Sequence, residues 1–371
     1  VSPMSPRRAS RSMAPSRRSC PPKAVAARRH PTFDRPSSIP SMLTDSFGRR
    51  IEYLRLSVTD RCNYRCSYCR PRACGAERAG RGELLSFEET ERLTRLFAEN
   101  GVRKVRLTGG EPLVRRDLIA LAARIAALPG IEDLSLSTNG QLLEPLARPL
   151  RAAGVQRVNV SLDSLDPATF ARITGGGDLA RVLRGIEAAR DAGMSPVKLN
   201  AVVLRGVNDH EIESLAEYAL ARGAQMRYIE IMPVGAAGRD SMRHYYPAAD
   251  ILARLTAHFG DDLVPVPGAA GAGPARCYRV AGGRGSIGVV SAVSQHFCDS
   301  CNRVRLTARG ELVLCLGRDN CISLREAIRR GTDDEAIKQL IYQAITRKPE
   351  RHDFLAVERV IPLREMSFLG G

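Results

Sequence analysis

Between residues 51 and 232 the chain repeats one pattern six times: a short run rich in β-branched residues, then a longer stretch with helical spacing. The runs fall at 53–59, 102–108, 133–138, 155–162, 197–204 and 225–232. Each of the five intervening stretches ends on a glycine shortly before the next run, at Gly101, Gly130, Gly154, Gly193 and Gly223, where a left-handed C-terminal helix cap belongs. Ser86-Phe87-Glu88-Glu89 opens the first long helix as a capping box. Strictly alternating strands and helices require a parallel sheet with right-handed crossovers. Six units rather than eight predict an α/β fold with an incomplete, TIM-like (β/α)6 barrel.

In such barrels the chemistry sits at the carboxyl ends of the strands. The first run is followed by Cys62-Asn63-Tyr64-Arg65-Cys66-Ser67-Tyr68-Cys69, a C-x3-C-x2-C spacing. Three thiolates hold an iron-sulfur cube and leave one iron open to another ligand, whereas a fourth would close it into an electron carrier. A zinc knuckle is the alternative, but it pairs C-x2-C with a second such motif or with histidines. Gly109-Gly110-Glu111-Pro112 follows the second run, Thr138-Asn139-Gly140 closes the third, Ser161 and Asp163 close the fourth, and Met232-Pro233 the sixth. Glu111 could accept hydrogen bonds from an ammonium group or simply finish a tight turn.

After Pro233 the alternation stops, and a Gly, Ala and Pro-rich passage at 268–274 reads as a loop in a smaller C-terminal domain. There Cys298-Asp299-Ser300-Cys301 and Cys315 form C-x2-C-x13-C, again three thiols. It reads either as a zinc site completed by Cys321 or His296 or as a second open cluster. Cys20, Cys74, Cys277 and Cys321 carry no assigned role. Charges also alternate along the runs: Arg55 with Tyr53 and Ser57, Arg106 with Lys104 and Thr108, Lys198 with Asn200. These residues either face outward or sit in salt bridges, or they point into a barrel lumen, where cations call for an anionic ligand; Arg303 and Arg305, on one face of an extended segment, suit phosphate and purine edges. No Walker A lysine follows a glycine loop.

The 371-residue chain has 44% apolar residues, no run long enough to span a membrane and a net charge of +16. That charge does not imply nucleic acid. Eleven basic side chains against Asp34 and Asp45 place nine of the sixteen net charges in residues 1–50. Residues 1–42 read as a disordered Arg, Ser and Pro-rich tail, as sequence upstream of a true start at Met42, or as a transit peptide. The ten cysteines fit a reducing compartment and metal ligation.

The first cysteine motif resembles the radical S-adenosylmethionine superfamily. Together with Gly-Gly-Glu-Pro, C-x2-C-x13-C and the final Gly370-Gly371, residues 43–371 resemble the molybdenum cofactor biosynthesis protein A family, the GTP 3',8-cyclases. That resemblance implies a radical-SAM partial barrel over 43–232 and an auxiliary-cluster domain over 233–371. Cys62, Cys66 and Cys69 would hold one 4Fe-4S cluster, and Cys298, Cys301 and Cys315 a second. Tyr68, Gly110, Ser161 and Met232 would contact S-adenosyl-L-methionine. Arg55, Arg106, Ser137, Lys198, Arg303 and Arg305 would bind GTP, the last two acting in catalysis together with a Gly370-Gly371 tail inserted into the cavity. A deoxyadenosyl radical would take the ribose 3' hydrogen, and the C3' radical would attack C8 of guanine to give 3',8-cyclo-7,8-dihydro-GTP. The family further implies a reductant protein, a downstream cyclic pyranopterin monophosphate synthase, no nucleic-acid or membrane partner, a monomer or homodimer, and a cytoplasmic location, or a mitochondrial one if the tail is a transit peptide. Arg70 stands where the family often has methionine and Ser137 where threonine is expected. Another radical S-adenosylmethionine enzyme, such as a peptide-modifying maturase, is the alternative.

Overall fold

The computed structural model describes residues 42–70, 80–266, 274–318, 320–352, 354 and 365–370, all within one compact unit, Ile39–Gly371. The expected tail, apart from Met42, lies outside the described residues, as do Cys20, Cys74, most of the 268–274 passage and Gly371. The six expected runs form strands β1 (Tyr53–Ser57), β2 (Lys104–Thr108), β3 (Asp133–Thr138), β4 (Arg157–Ser161), β5 (Val197–Val202) and β6 (Gln225–Ile229). They pair in parallel, each with the next. Gly101, Gly130, Gly154, Gly193 and Gly223 all have positive φ, between 64° and 93°, the conformation glycine reaches without a Cβ penalty. Helix α1 (Phe87–Glu99) starts on the expected box: Glu89 N–H donates to Ser86 Oγ (3.1 Å) and Ser86 N–H to Glu89 Oε2 (2.8 Å).

Alternation along the strands explains how a parallel sheet can carry so many charges. Parallel strands covered on both faces are near-continuously apolar. Here only the outer face is: Leu54, Leu56, Val105, Leu107, Leu136, Val158, Val160, Leu199 and Ala201 are fully buried, each large side chain contributing roughly 1.5–3 kcal/mol. Residues of the other phase, among them Arg55, Arg106, Ser137, Asn159, Lys198 and Arg227, line an internal cavity.

The chain beyond Pro233 adds strands to both edges of this sheet. They are β7 (Leu263–Pro265), β8 (Arg276–Val280), β9 (Ser286–Val290), β10 (Arg303–Leu306), β11 (Glu311–Val313) and β12 (Cys321–Ser323). The order is β12-β11-β10-β1-β2-β3-β4-β5-β6-β9-β8-β7. β9 joins β6 and β10 joins β1 in parallel, while the outermost pairs are antiparallel. The sheet stays open, since β12 and β7 are its two ends. C-terminal strands thus complete the cavity wall on both sides of the expected six. Among the described residues no helix is long and apolar enough to cross a membrane.

Candidate active site

The loop after β1 carries the first three cysteines and is held by backbone bonds to the C-terminal end of Pro167–Thr174 and its own turn. Arg65 N–H donates to Thr174 O and Ser67 N–H to Ile173 O (2.9 Å each), while Cys69 and Arg70 N–H groups both reach Cys66 O (3.0 Å). Cys62, Cys66 and Cys69 line the cavity together. Burial pushes the Cys62 thiol up to about 11 and that of Cys69 up to about 12, and raises Cys66 well above its usual value, with neighbouring thiols adding to the effect at Cys66 and Cys69. A coordinating cation reverses this, because a bound thiol is deprotonated outright. Tyr64 N–H already donates to Cys62 Sγ (3.4 Å), and Arg70 favours the thiolates of Cys62 and Cys69. The charge that departs from the family pattern therefore offsets part of the burial.

Gly110 and Glu111 have structural work here. Gly110 N–H donates to Thr59 O and Glu111 N–H to Arg61 O (2.8 Å each), so the turn after β2 lies directly against the cluster loop. A Cβ on Gly110 would come within 3.1 Å of Cys62 Cβ and closer still to the Arg61 backbone. Glu111 is buried, and burial lifts its carboxyl to about 7. Its oxygens accept from Thr138 Oγ1 (2.7 Å), Asn139 N–H (2.7 Å) and Leu113 N–H (3.0 Å). It ties the ends of β2 and β3 together as an internal brace. Asp163 is equally buried, lifted by burial to about 6, and accepts from Tyr68 Oη (2.7 Å) and Val202 N–H (2.9 Å). The Tyr68 hydroxyl is therefore engaged by protein, while Tyr68, Gly110, Ser161 and Met232 all line the cavity.

The cavity measures about 610 Å3, within the usual size of small-molecule sites. Its wall carries Arg55, Arg106, Arg157, Lys198, Arg227, Arg279, Arg303 and Arg305. Register aligns Arg55 with Arg106 on one side and with Arg305 on the other. Burial and the Arg305 charge hold Arg55 below its usual value; burial brings Arg305 and Arg227 down to about 10. Lys198 falls to about 7, through burial and then Arg227, Arg157 and Arg106. Three carboxylates face this set. Glu111 and Asp163 are braced as described, and fully buried Glu230 accepts from Ala248 N–H and Val293 N–H (2.8 Å each), Ser294 N–H (2.9 Å) and Tyr245 Oη (3.0 Å).

Sequence reading missed Arg157, Arg227, Arg279 and Asn159. The first two and Asn159 share the inward phase of β4 and β6, the same signal that picked out Arg55, so periodicity could have found them. Arg279 comes from a strand the six-unit pattern did not contain. Cys277, left without a role, is also part of the wall.

Cys298, Cys301 and Cys315 do not themselves line the cavity; their sequence neighbours Phe297, Arg303 and Leu316 do. Arg303 lies over the Phe297 ring at 5.2 Å. Burial raises Cys298 and Cys315, but at Cys301 Lys348 and Arg303 outweigh it and the thiol falls below its usual value. Arg49 clamps this turn, donating to Cys298 O (2.7 Å), Glu350 O (2.6 Å) and Pro349 O (2.7 Å) while paired with Asp45 (2.6 Å). Among the described residues no three Cys, His or acidic side chains gather tightly enough to share one metal ion, as mononuclear zinc requires. Thiols that each take a different iron of a cluster need no such convergence.

The C-terminal residues enter the same space. Met366 and Ser367 line the cavity. Gly370 O accepts from Arg55 Nη2 (2.8 Å) and Arg305 Nη1 (3.2 Å), and Leu369 O from Arg305 Nη1 (3.3 Å). Gly370 has φ 76°, and a Cβ there would collide with the Thr108 hydroxyl.

Residues 56–219 match the Radical SAM superfamily and residues 224–354 match Molybdenum Cofactor Synthesis C. The GTP 3',8-cyclase of Hydrogenovibrio crunogenus is 49% identical over 330 residues, 89% of this chain and 99% of the relative. That of Pelotomaculum thermopropionicum is 46% identical over 329 residues, 89% of this chain and the whole relative. In fold the chain is similar to Streptococcus suis SuiB bound to S-adenosylmethionine, with a TM-score of 0.57 at 16% identity, covering 78% of this chain and 67% of that one.

Proposed function

The chain belongs to the GTP 3',8-cyclase family, and on that footing we propose how its cavity converts GTP to 3',8-cyclo-7,8-dihydro-GTP, in the first step of molybdenum cofactor biosynthesis. Its cofactors are two 4Fe-4S clusters and S-adenosyl-L-methionine. Cys62, Cys66 and Cys69 hold one cluster and Cys298, Cys301 and Cys315 the other. Tyr68, Gly110, Ser161 and Met232 take S-adenosyl-L-methionine. When bound, the reduced cluster and S-adenosyl-L-methionine supply a carbon-centred radical able to take a hydrogen from the ribose.

The residues of the chain do the positioning. Arg55, Arg106, Lys198, Arg303 and Arg305, joined by Arg227, neutralise the triphosphate, and Ser137 adds a hydroxyl. The tail orders two of these cations, since Leu369 O and Gly370 O accept from the Arg55 and Arg305 guanidinium groups. Holding the ribose at a fixed distance from the radical source converts an encounter into an intramolecular step. The observation that carries this reading is the charge imbalance of the cavity: eight cationic side chains line it, of which Arg157 is paired with Asp133 and Arg279 is exposed, leaving six beside three carboxylates that protein donors engage. That remaining excess calls for a polyanion.

A separate reductant protein feeds the clusters, and a cyclic pyranopterin monophosphate synthase consumes the product. The chain works in the cytoplasm as a monomer or homodimer. The test is an anaerobic reaction of cluster-loaded protein with GTP deuterated at C3'. Deuterium should appear in 5'-deoxyadenosine, with one cyclised nucleotide formed per deoxyadenosine. Deoxyadenosine formed without deuterium, or without a cyclic product, would refute the reading.

A further inference from the structure

Asn159 sits at the middle of β4 and is 2% exposed. Both ends of its carboxamide, Nδ2 and Oδ1, lack a hydrogen-bond partner among the described residues, and the side chain lines the cavity. Buried carboxamides are ordinarily satisfied, and leaving one unpaired costs stability unless a ligand completes it. Its neighbours define where along the cavity it lies. On the same face of β4, Arg157 precedes it by two residues and Ser161 follows it by two, both lining the cavity. Register sets it beside Ser137 on β3 and Lys198 on β5. The Arg157 side lies among the cations, since Lys198 feels Arg227, Arg157 and Arg106. The Ser161 side leads to Asp163, which holds Tyr68 of the cysteine loop. Asn159 therefore stands between the cationic floor and the radical-generating end.

From this geometry we infer that Asn159 is a specificity-determining residue that hydrogen-bonds a ribose hydroxyl of the nucleotide substrate; the inference rests on the cyclase reading above. A phosphate oxygen accepts only and would leave Oδ1 unpaired beside cations better suited to it. A hydroxyl both donates and accepts, so a sugar diol satisfies Oδ1 and Nδ2 together. A site built to bond a hydroxyl rejects analogues lacking it, because its own polar group is then left unpaired.

The experiment measures anaerobic equilibrium binding of GTP, 2'-deoxy-GTP and 3'-deoxy-GTP to cluster-loaded protein, wild type and Asn159→Ala, with S-adenosyl-L-methionine affinity measured in parallel. Wild type should bind at least one deoxy analogue about 10- to 100-fold more weakly than GTP. In Asn159→Ala that ratio should collapse to within about twofold, through weaker GTP binding, with S-adenosyl-L-methionine affinity unchanged. Undiminished discrimination in the variant, or none in wild type, overturns the assignment. So does a variant whose loss falls on S-adenosyl-L-methionine, which would put the cofactor's adenosine at this carboxamide. If the alanine variant does not load its clusters, the near-isosteric Asn159→Asp, which has lost the donors, is held to the same outcomes. A wild-type protein that fails to bind GTP would refute the cyclase reading itself, whereas GTP binding with unaltered discrimination refutes this inference alone.

Discussion

Lys198 shows how one side chain is tuned by its surroundings. Burial and three neighbouring arginines bring it down to about 7, so at pH 8 the free protein holds it largely neutral. A bound triphosphate favours the ammonium form and raises that value. GTP affinity should therefore be greatest below pH 7, where the lysine is already charged, fall as pH rises through the interval above 7, and level off beyond the bound-state value. Proton uptake on binding at pH 8, read by calorimetry in buffers of different ionisation enthalpy, checks this. Lys198→Arg should abolish the uptake, since arginine stays charged; equal uptake by both would assign it to another group. At Glu111 the question is bracing. Its carboxylate accepts three protein donors, and Glu111→Gln directs an amide N–H2 at one of them. Losing a buried acceptor costs about 1–3 kcal/mol, so thermal unfolding of the loaded protein should shift down by several degrees. An unchanged midpoint would mean the ends of β2 and β3 are held by something else.

Among the elements, the strands and the tail divide the labour. Each barrel strand packs one phase outward into the core and presents the other to the cavity, which is why arginines on adjacent strands can stand side by side. The tail meets them in the cavity. Its carbonyls at Leu369 and Gly370 accept from Arg305 and Arg55, and this close approach excludes a side chain at Gly370. Gly370→Ala combines a left-handed φ with a collision at Thr108. It should lower cyclisation at least about tenfold while GTP affinity stays within a few-fold, because the cations that bind the triphosphate come from the strands. Steady-state turnover measured beside GTP affinity decides the matter: wild-type turnover would show that the tail is dispensable, and a parallel loss of affinity would show that it helps bind nucleotide.

At the scale of the molecule, the two cysteine sets proposed as cluster ligands come from separate parts of the chain, the first lining the cavity and the second represented in its wall by its sequence neighbours Phe297, Arg303 and Leu316. Anaerobically loaded protein should carry about eight irons per chain, two cubes of four. Cys62→Ala should leave about four and abolish S-adenosyl-L-methionine cleavage, while Cys298→Ala should leave about four with the first cluster spectroscopically intact. Eight irons in either variant would show that the substituted thiol is not a ligand. Much of this was legible in the linear chain. Strand-helix alternation and glycine caps are local signals, set by dihedral preference, and they located β1 to β6; the two cysteine spacings are local in the same sense and picked out the thiols proposed as cluster ligands. The inward phase of Arg55, Arg106 and Lys198 followed from the two-residue period of a strand. What the tertiary structure alone decided depends on residues distant in sequence. The extension of the sheet past β6 by β9 and β8 and past β1 by β10, which brings Cys277, Arg279 and Arg303 to the wall, has no local signature, because a strand's partner is chosen by available edge and not by its own sequence. The engagement of Glu111 by Thr138, of Tyr68 by Asp163 and of the Cys298 turn by Arg49 has the same origin. A carboxylate or guanidinium reads identically in a sequence whether a ligand or a distant backbone group completes it, and folding makes that choice by what it buries beside the charge.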